Sequence, residues 1–272
     1  MNSIKKEVER LAKIQAWNHN FKLPGNIETN PGKQTSHGKN LVKLERLKPV
    51  FKKIGLEGKN ILDVGCNEGF FSHFFASNGS NVHAIDIDKH RIEKAKFIKK
   101  TIGHDLNLKF ENIDIYSEKF INMKKFDLCL CLGFIHRIPD PFNALKNLVE
   151  KSDIIVFEWK ALNFGPHDEA FAYFSPHPVN KLDYYGTEYW RLSYSALETI
   201  LKRLGMKYFY RIDDPNQNRA ILVAGSVNNP IFELKDQIFS RGIIRILLSH
   251  TKRFIITLWK ILTKKINFYH KN

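Results

Sequence analysis

Apolar residues first recur at helical spacing from about Leu41, and then fall into short runs separated by further helical patterns. Runs with the length and composition of buried strands are Asn60 to Val64, Asn81 to Ile85, Asn107 to Ile113, Phe126 to Leu132 and Asp153 to Glu158. Between them the spacing predicts helices over Phe70 to Ser77, Lys89 to Ile102 and Pro141 to Glu150, with a short irregular piece near Ser117. Strands apolar on both sides that alternate with helices require a parallel sheet covered on both faces. After a less regular stretch, Ser193 caps a helix to Leu204 and Gly205 ends it. Strands Met206 to Ile212 and Arg219 to Ala224 then flank "DDPNQN", whose turn chemistry predicts a closing antiparallel hairpin. The expected fold class is α/β, with one domain over residues 41–226, a helical or loop extension over 1–40 and a tail over 227–272.

Length agrees with this organisation, since 272 residues suit one α/β core with appendages. The three cysteines, Cys66, Cys129 and Cys131, lack metal-ligand spacing, and the last two share one face of an apolar run as small buried hydrophobes. No metal is expected, and free thiols imply a reducing, cytoplasmic setting. The opening "MNSIKKEVERLAKIQAW" is charged and amphipathic, without the apolar region of a secretory signal.

Charge changes the picture at one end. Of the net +15, residues 241–272 hold eight Lys and Arg and no acid. There Ile244, Leu248, Ile255, Leu258, Trp259 and Leu262 fall at helical spacing among the cations, which predicts a basic amphipathic helix. Its apolar run is shorter than the ~20 residues that span a bilayer. Docking on an anionic membrane surface at the inner face, or on a membrane-bound pathway partner, stands level with packing on the enzyme's own surface or in a dimer contact.

The stretch "ILDVGCNEGFFS", Ile61 to Ser72, carries the candidate chemistry. A strand feeding a Gly-rich turn and a helix brings backbone N–H groups to a ligand at the carboxyl edge of a sheet. A dinucleotide site asks for Gly-x-Gly-x-x-Gly, whereas this turn reads Asp63-x-Gly65-x-Asn67-x-Gly69 and lacks the middle glycine. Asp63 would repel a phosphate but suits a cationic amino group, such as that of S-adenosylmethionine. Asp86, about 20 residues on at the end of the next strand, can accept both hydroxyls of a ribose. Asp88 reads better as the N-cap of the following helix. Asp114 ends the third strand near the place of an adenine amino group, or is an ordinary loop acid.

The order of these signals, with "FDLCLCLGFIHRIPDP" closing the fourth strand at Leu132, Gly133, His136 and Arg137, resembles class I S-adenosylmethionine-dependent methyltransferases over roughly residues 41–226. The resemblance implies a seven-stranded Rossmann-like sheet with a terminal hairpin. It implies cofactor contacts at Asp63, Gly65, Asn67, Gly69, Asp86, Asp114, Leu132 and Gly133, and places His136 on the substrate side as a candidate base. Arg137 beside it is a second catalytic candidate, more often a positioning group.

The flanks "WNHNFKLPGNIETNPG" and "YWRLSYSALETILKRLGM" are similar to the branch holding tRNA wobble-uridine carboxymethoxy methyltransferases and methyltransferases of glycan and natural-product pathways. In the tRNA enzymes a tyrosine that helps recognise carboxy-S-adenosylmethionine holds the place of His136. Its absence implies ordinary S-adenosylmethionine and methyl transfer to a hydroxyl of a small molecule or saccharide, ahead of tRNA. Asn67 in place of a glycine keeps open a non-catalytic binding subunit. The aromatic stretch 161–192 is expected to be a lid, in which His167, Asp168, Tyr173, His177, Tyr185, Trp190 and Arg191 line an acceptor pocket or simply pack it down; Glu158 faces the same cleft.

Overall fold

The computed structural model describes residues 2–31, 34–162, 170–174, 190–213 and 219–236. Elements in chain order are α1 (Asn2–Ile14), β1 (Lys22–Leu23), β2 (Ile27–Glu28), α2 (Gln34–Ile54), β3 (Asn60–Val64), α3 (Phe70–Ser77), β4 (Asn81–Asp86), α4 (Lys89–Ile102) and β5 (Leu108–Asn112). There follow α5 (Glu118–Ile121), β6 (Leu128–Leu132), a 3-10 turn (Ile135–Arg137), α6 (Pro141–Lys151), β7 (Ile154–Lys160), β8 (Ala172–Phe174), β9 (Trp190–Leu192), α7 (Tyr194–Arg203), β10 (Tyr208–Asp213), β11 (Arg219–Gly225) and a 3-10 turn at Pro230–Glu233.

One seven-stranded sheet runs in the order β10-β11-β7-β6-β3-β4-β5. Strands β5, β4, β3, β6 and β7 are parallel, while β11 pairs antiparallel with β7 and β10 with β11. Strand order reverses between β3 and β6, and in open α/β sheets that switch point opens a crevice at the carboxyl ends of the strands. Alternation within each central strand divides the core in two. Leu128 and Leu130 of β6 join Leu47, Phe51, Phe75 and Ile92 from α2, α3 and α4, whereas Cys129 and Cys131 point to the other face with Leu145, Leu148 and Leu197 from α6 and α7. The cysteines are therefore small core hydrophobes, as their spacing suggested.

Differences from expectation are local. The helix foreseen near Leu41 begins at Gln34, and the first residues form α1 and a short hairpin, β1–β2, around a satellite core of Val8, Leu11, Trp17, Phe21, Leu23 and Ile98. Residues 161–162, 170–174 and 190–192 of the expected lid include an unforeseen antiparallel pair, β8–β9, pinned by the Trp190 indole N–H donating to the Pro139 carbonyl at 3.0 Å. At the start of the expected tail, Ile231 is buried against the sheet. The basic helix foreseen over 241–272, the turn 214–218 and the lid positions His167, Asp168, His177 and Tyr185 lie outside the described residues. Among the described residues no helix is long and apolar enough to cross a membrane.

Candidate functional site

The turn after β3 is built on left-handed backbone. Gly65, Asn67 and Gly69 take φ of +69°, +55° and +83°. Asparagine is one of the few side chains that tolerates this region, so Asn67 supplies the conformation that a glycine would. The N–H groups of Gly65 and Cys66 both donate to the Ile85 carbonyl, at 2.9 and 3.0 Å, folding the turn across the end of β4. A Cβ on Gly69 would lie 2.5 Å from the Phe110 ring, and one on Gly65 2.9 Å from Phe134. Both positions exclude any side chain.

Asp86 ends β4 beside this turn. Its carboxylate accepts the backbone N–H of Asn67 and of Asp88, each at 2.9 Å, which fixes its direction at the strand edge. Burial pushes its carboxyl up to about 6, although part of the residue still reaches solvent. Asp63 is more enclosed: Ser72 Oγ–H donates to it at 2.6 Å, and burial again raises it to about 6. Asp88 caps α4, accepting the N–H groups of His90 and Arg91. Asp114 accepts the N–H of Tyr116 at 2.9 Å and so shapes the entry to α5 from the carboxyl edge of β5.

On the other side of the switch point, β6 ends in Leu132 and Gly133 (φ +75°), whose N–H donates to the Glu158 carbonyl at 2.7 Å. His136 follows in the 3-10 turn and is 1% exposed. The ring is therefore buried, at the carboxyl end of β6 where the sequence reading placed the candidate base. Burial, then the charges of Arg219, Arg137, Lys160 and Lys43, drive its pKa well below the ordinary histidine value, so it is neutral at physiological pH. Arg137 is half-buried, its N–H bonded to the Phe134 carbonyl at 2.8 Å.

Glu158 of β7 is buried and receives two cations. Lys43 Nζ of α2 lies 3.0 Å from Oε2, and Arg219 Nη1, opening β11, lies 3.2 Å from Oε1. Burial lowers the Lys43 pKa, and Glu158 opposes that shift. Sequence reasoning singled out neither Lys43 nor Arg219. It also passed over Glu68, fully buried in the turn itself, which accepts the N–H groups of Asn18 and His19 and an ion pair from Arg91. A signal for Glu68 was present: an acid inside a Gly-rich turn, with Arg91 and Lys94 spaced on one face of α4. For Lys43 there was none.

A family model described as "Methyltransferase domain" matches residues 56–161, the segment that holds the turn, Asp86 and His136. That match supports the resemblance to class I S-adenosylmethionine-dependent methyltransferases. The chain is 31% identical over 107 residues to a ubiquinone biosynthesis O-methyltransferase of Coxiella burnetii, covering 39% of this chain and 44% of the relative. A tRNA U34 carboxymethyltransferase of Nautilia profundicola is 30% identical over 148 residues, 53% of this chain and 45% of that protein. The chain thus spans less than half the length of these two curated relatives. Among solved structures, the N-terminal domain of EvdMO1, crystallised in the presence of SAH and D-fucose, superposes with a TM-score of 0.63 at 18% identity, over 84% of this chain and 98% of that one. Magnesium protoporphyrin IX methyltransferase from Synechocystis with bound SAM gives 0.52 at 16% identity, over 72% and 83%. At such identities the likeness is one of fold, and it includes the seven-stranded sheet expected of the methyltransferase domain.

Proposed function

We propose that this protein is an S-adenosylmethionine-dependent methyltransferase that methylates a hydroxyl of a small molecule or saccharide. The observation that carries the reading is Asp86, a recessed carboxylate fixed at the strand edge by the Asn67 N–H, beside a turn in which a Cβ at Gly65 or Gly69 would meet an aromatic ring. Such a pair suits a ribose on one side and close backbone approach on the other. Asp63, Gly65, Asn67, Gly69, Asp86, Asp114, Leu132 and Gly133 are the residues assigned to hold the cofactor, within a unit over 41–226. When bound, S-adenosylmethionine supplies an electrophilic methyl group, so the protein's task is mainly alignment and exclusion of water. His136 is neutral, the form that accepts a proton, and is the candidate base; Arg137 is assigned to positioning. His136→Asn should lower turnover while leaving S-adenosylhomocysteine affinity intact. Calorimetry of S-adenosylhomocysteine against wild type and Asp86→Ala tests the cofactor assignment: wild type should bind and the variant should lose most of its affinity. Failure of the wild type to bind overturns the reading.

A second reading, an RNA-modifying enzyme of the wobble-uridine type, draws support from the relative named tRNA U34 carboxymethyltransferase and from the net charge of +15. Labelled S-adenosylmethionine incubated with a cell extract, fractionated into lipid, RNA and small molecules, separates the two by where the label appears. Residues 241–272 are assigned to docking on an anionic surface, a reading supported by the eight cations and the interleaved aliphatics. Full-length protein should then sediment with anionic vesicles and be released by high salt; protein that stays in the supernatant at low salt excludes it.

A further inference from the structure

We propose that Lys43 and Arg219, held together by Glu158, form a subsite for an anionic group, a carboxylate or phosphate, carried by the methyl acceptor. The inference rests on the methyltransferase reading above and names a feature of its substrate. Both cations converge on one buried carboxylate that is 3% exposed at its side chain, through Lys43 Nζ to Oε2 at 3.0 Å and Arg219 Nη1 to Oε1 at 3.2 Å and Oε2 at 3.3 Å. Neither cation is used up. Among the described residues the Lys43 ammonium makes that single hydrogen bond, and Nε and Nη2 of Arg219 make none. Their side chains keep 18% and 24% of their surface exposed. An arginine fork and an ammonium are the pair of groups best matched to the oxygens of a carboxylate or phosphate.

Placement directs the subsite to the acceptor. Glu158 pairs in register with Leu132, and Arg219 with Lys160, so the cluster stands at the carboxyl edge of β6 and β7. A Cβ on Gly133 would lie 3.6 Å from Glu158 Oε2 and 3.9 Å from Arg219 Nη1, so the glycine leaves the space beside both groups open. In the strand order β4-β3-β6-β7-β11, Asp86 is separated from Glu158 and Arg219 by three and four strand spacings. At about 4.8 Å each, that is about 14 to 19 Å, well past a ribose held at Asp86. At His136 the fields of Arg219 and Lys43 both act to disfavour a further positive charge, and Glu158 is the carboxylate held between these two cations.

The test uses full-length protein, inorganic phosphate as the probe, and isothermal titration with and without saturating S-adenosylhomocysteine. Phosphate should bind the loaded wild type, at least fivefold more weakly in Arg219→Gln, and at least threefold more weakly in Lys43→Gln. Glu158→Gln keeps the side-chain shape but removes the competing carboxylate, and should bind phosphate several-fold more tightly. A merely structural triad gives no such gain. S-adenosylhomocysteine affinity should stay within twofold in all three variants, with melting temperatures reporting that each is folded; Arg219→Lys, which keeps the charge, should recover part of the phosphate affinity. Absence of phosphate binding to the loaded wild type overturns the proposal, as does unchanged or weaker binding in Glu158→Gln. Competition between phosphate and S-adenosylhomocysteine also overturns it, by giving the cations to the cofactor's own carboxylate. A wild type that fails to bind S-adenosylhomocysteine refutes the methyltransferase reading instead, and the three variants still decide the anion site in the unliganded protein.

Discussion

Glu68 and Arg91 form a buried ion pair at 2.7 Å, joining the middle of the Gly-rich turn to the first turn of α4. Lys94 stands 3.6 Å from the same carboxylate, and Arg91 and Lys94 also donate to the Ala16 carbonyl. Removing one member of a buried pair leaves charge without compensation, a loss of about 3–5 kcal/mol. Glu68→Ala should therefore lower unfolding free energy by about that amount in urea titrations, and should expose the chain near Ala16 to limited proteolysis. A loss below about 1 kcal/mol would show that the pair contributes little.

The raised carboxyls make ligand affinity depend on pH. Asp63 and Asp86 titrate near 6 in the folded chain, against about 3.9 for an ordinary aspartate. Between these values the folded state holds more protons than the unfolded one, so this contribution to the stability of the unliganded protein is fully present below about pH 4 and is lost as pH rises through 6. A ribose donating hydroxyls to Asp86 favours the ionised form, and affinity runs the opposite way. S-adenosylhomocysteine should bind about tenfold more weakly at pH 5 than at pH 7. Calorimetry at the two pH values checks this, and Asp86→Asn should bind weakly with a flattened profile.

The turn should discriminate sharply between substitutions. Asn67→Gly preserves access to φ +55° and should leave affinity within a few-fold, whereas Asn67→Val forces a β-branched residue into that region and should cost about 1–2 kcal/mol. Gly69→Ala meets the Phe110 ring at 2.5 Å and should reduce both melting temperature and S-adenosylhomocysteine binding. Equal behaviour of Asn67→Gly and Asn67→Val would remove the conformational account.

Trp159 ties the far side of the crevice. Its indole N–H donates to the Leu192 carbonyl at 2.8 Å and its ring stands edge-on to Tyr194, 5.1 Å between centroids. Trp159→Phe keeps most of the apolar contact and removes one of the two hydrogen bonds to that carbonyl, the other coming from the Leu162 N–H at 3.1 Å, so stability should fall by about 0.5–1.5 kcal/mol. Hydrogen exchange at residues 190–193 should rise selectively; an unchanged pattern would contradict the tie.

Apart from α5, β8 and β9, the strands and helices described between Asn60 and Gly225 were legible because the chain states them in apolar periodicity and, at several starts, in caps. β3, α3 and α4 fall on the spans read from the sequence, and Asp88 and Ser193 cap as their positions suggest. The turn was equally plain, since Gly65, Asn67 and Gly69 are the residue types that accept positive φ. Burial of His136 was not legible. A strand-end histidine reads the same whether its ring faces a cleft or the core, and only packing decides. Lys43, Glu158 and Arg219 come together from α2, β7 and β11, a meeting set by strand order rather than by local pattern.

Glu68 also has a consequence for the order in which the chain assembles. Its carboxylate waits for N–H groups 50 and 49 residues behind it and for a guanidinium 23 residues ahead. Closing loops of that size is slow compared with winding α3 or α4. Helices α3 and α4 can therefore wind before the turn acquires its final shape, and competence to take up a ligand waits until the segment around Asn18 has swung back onto the turn and α4.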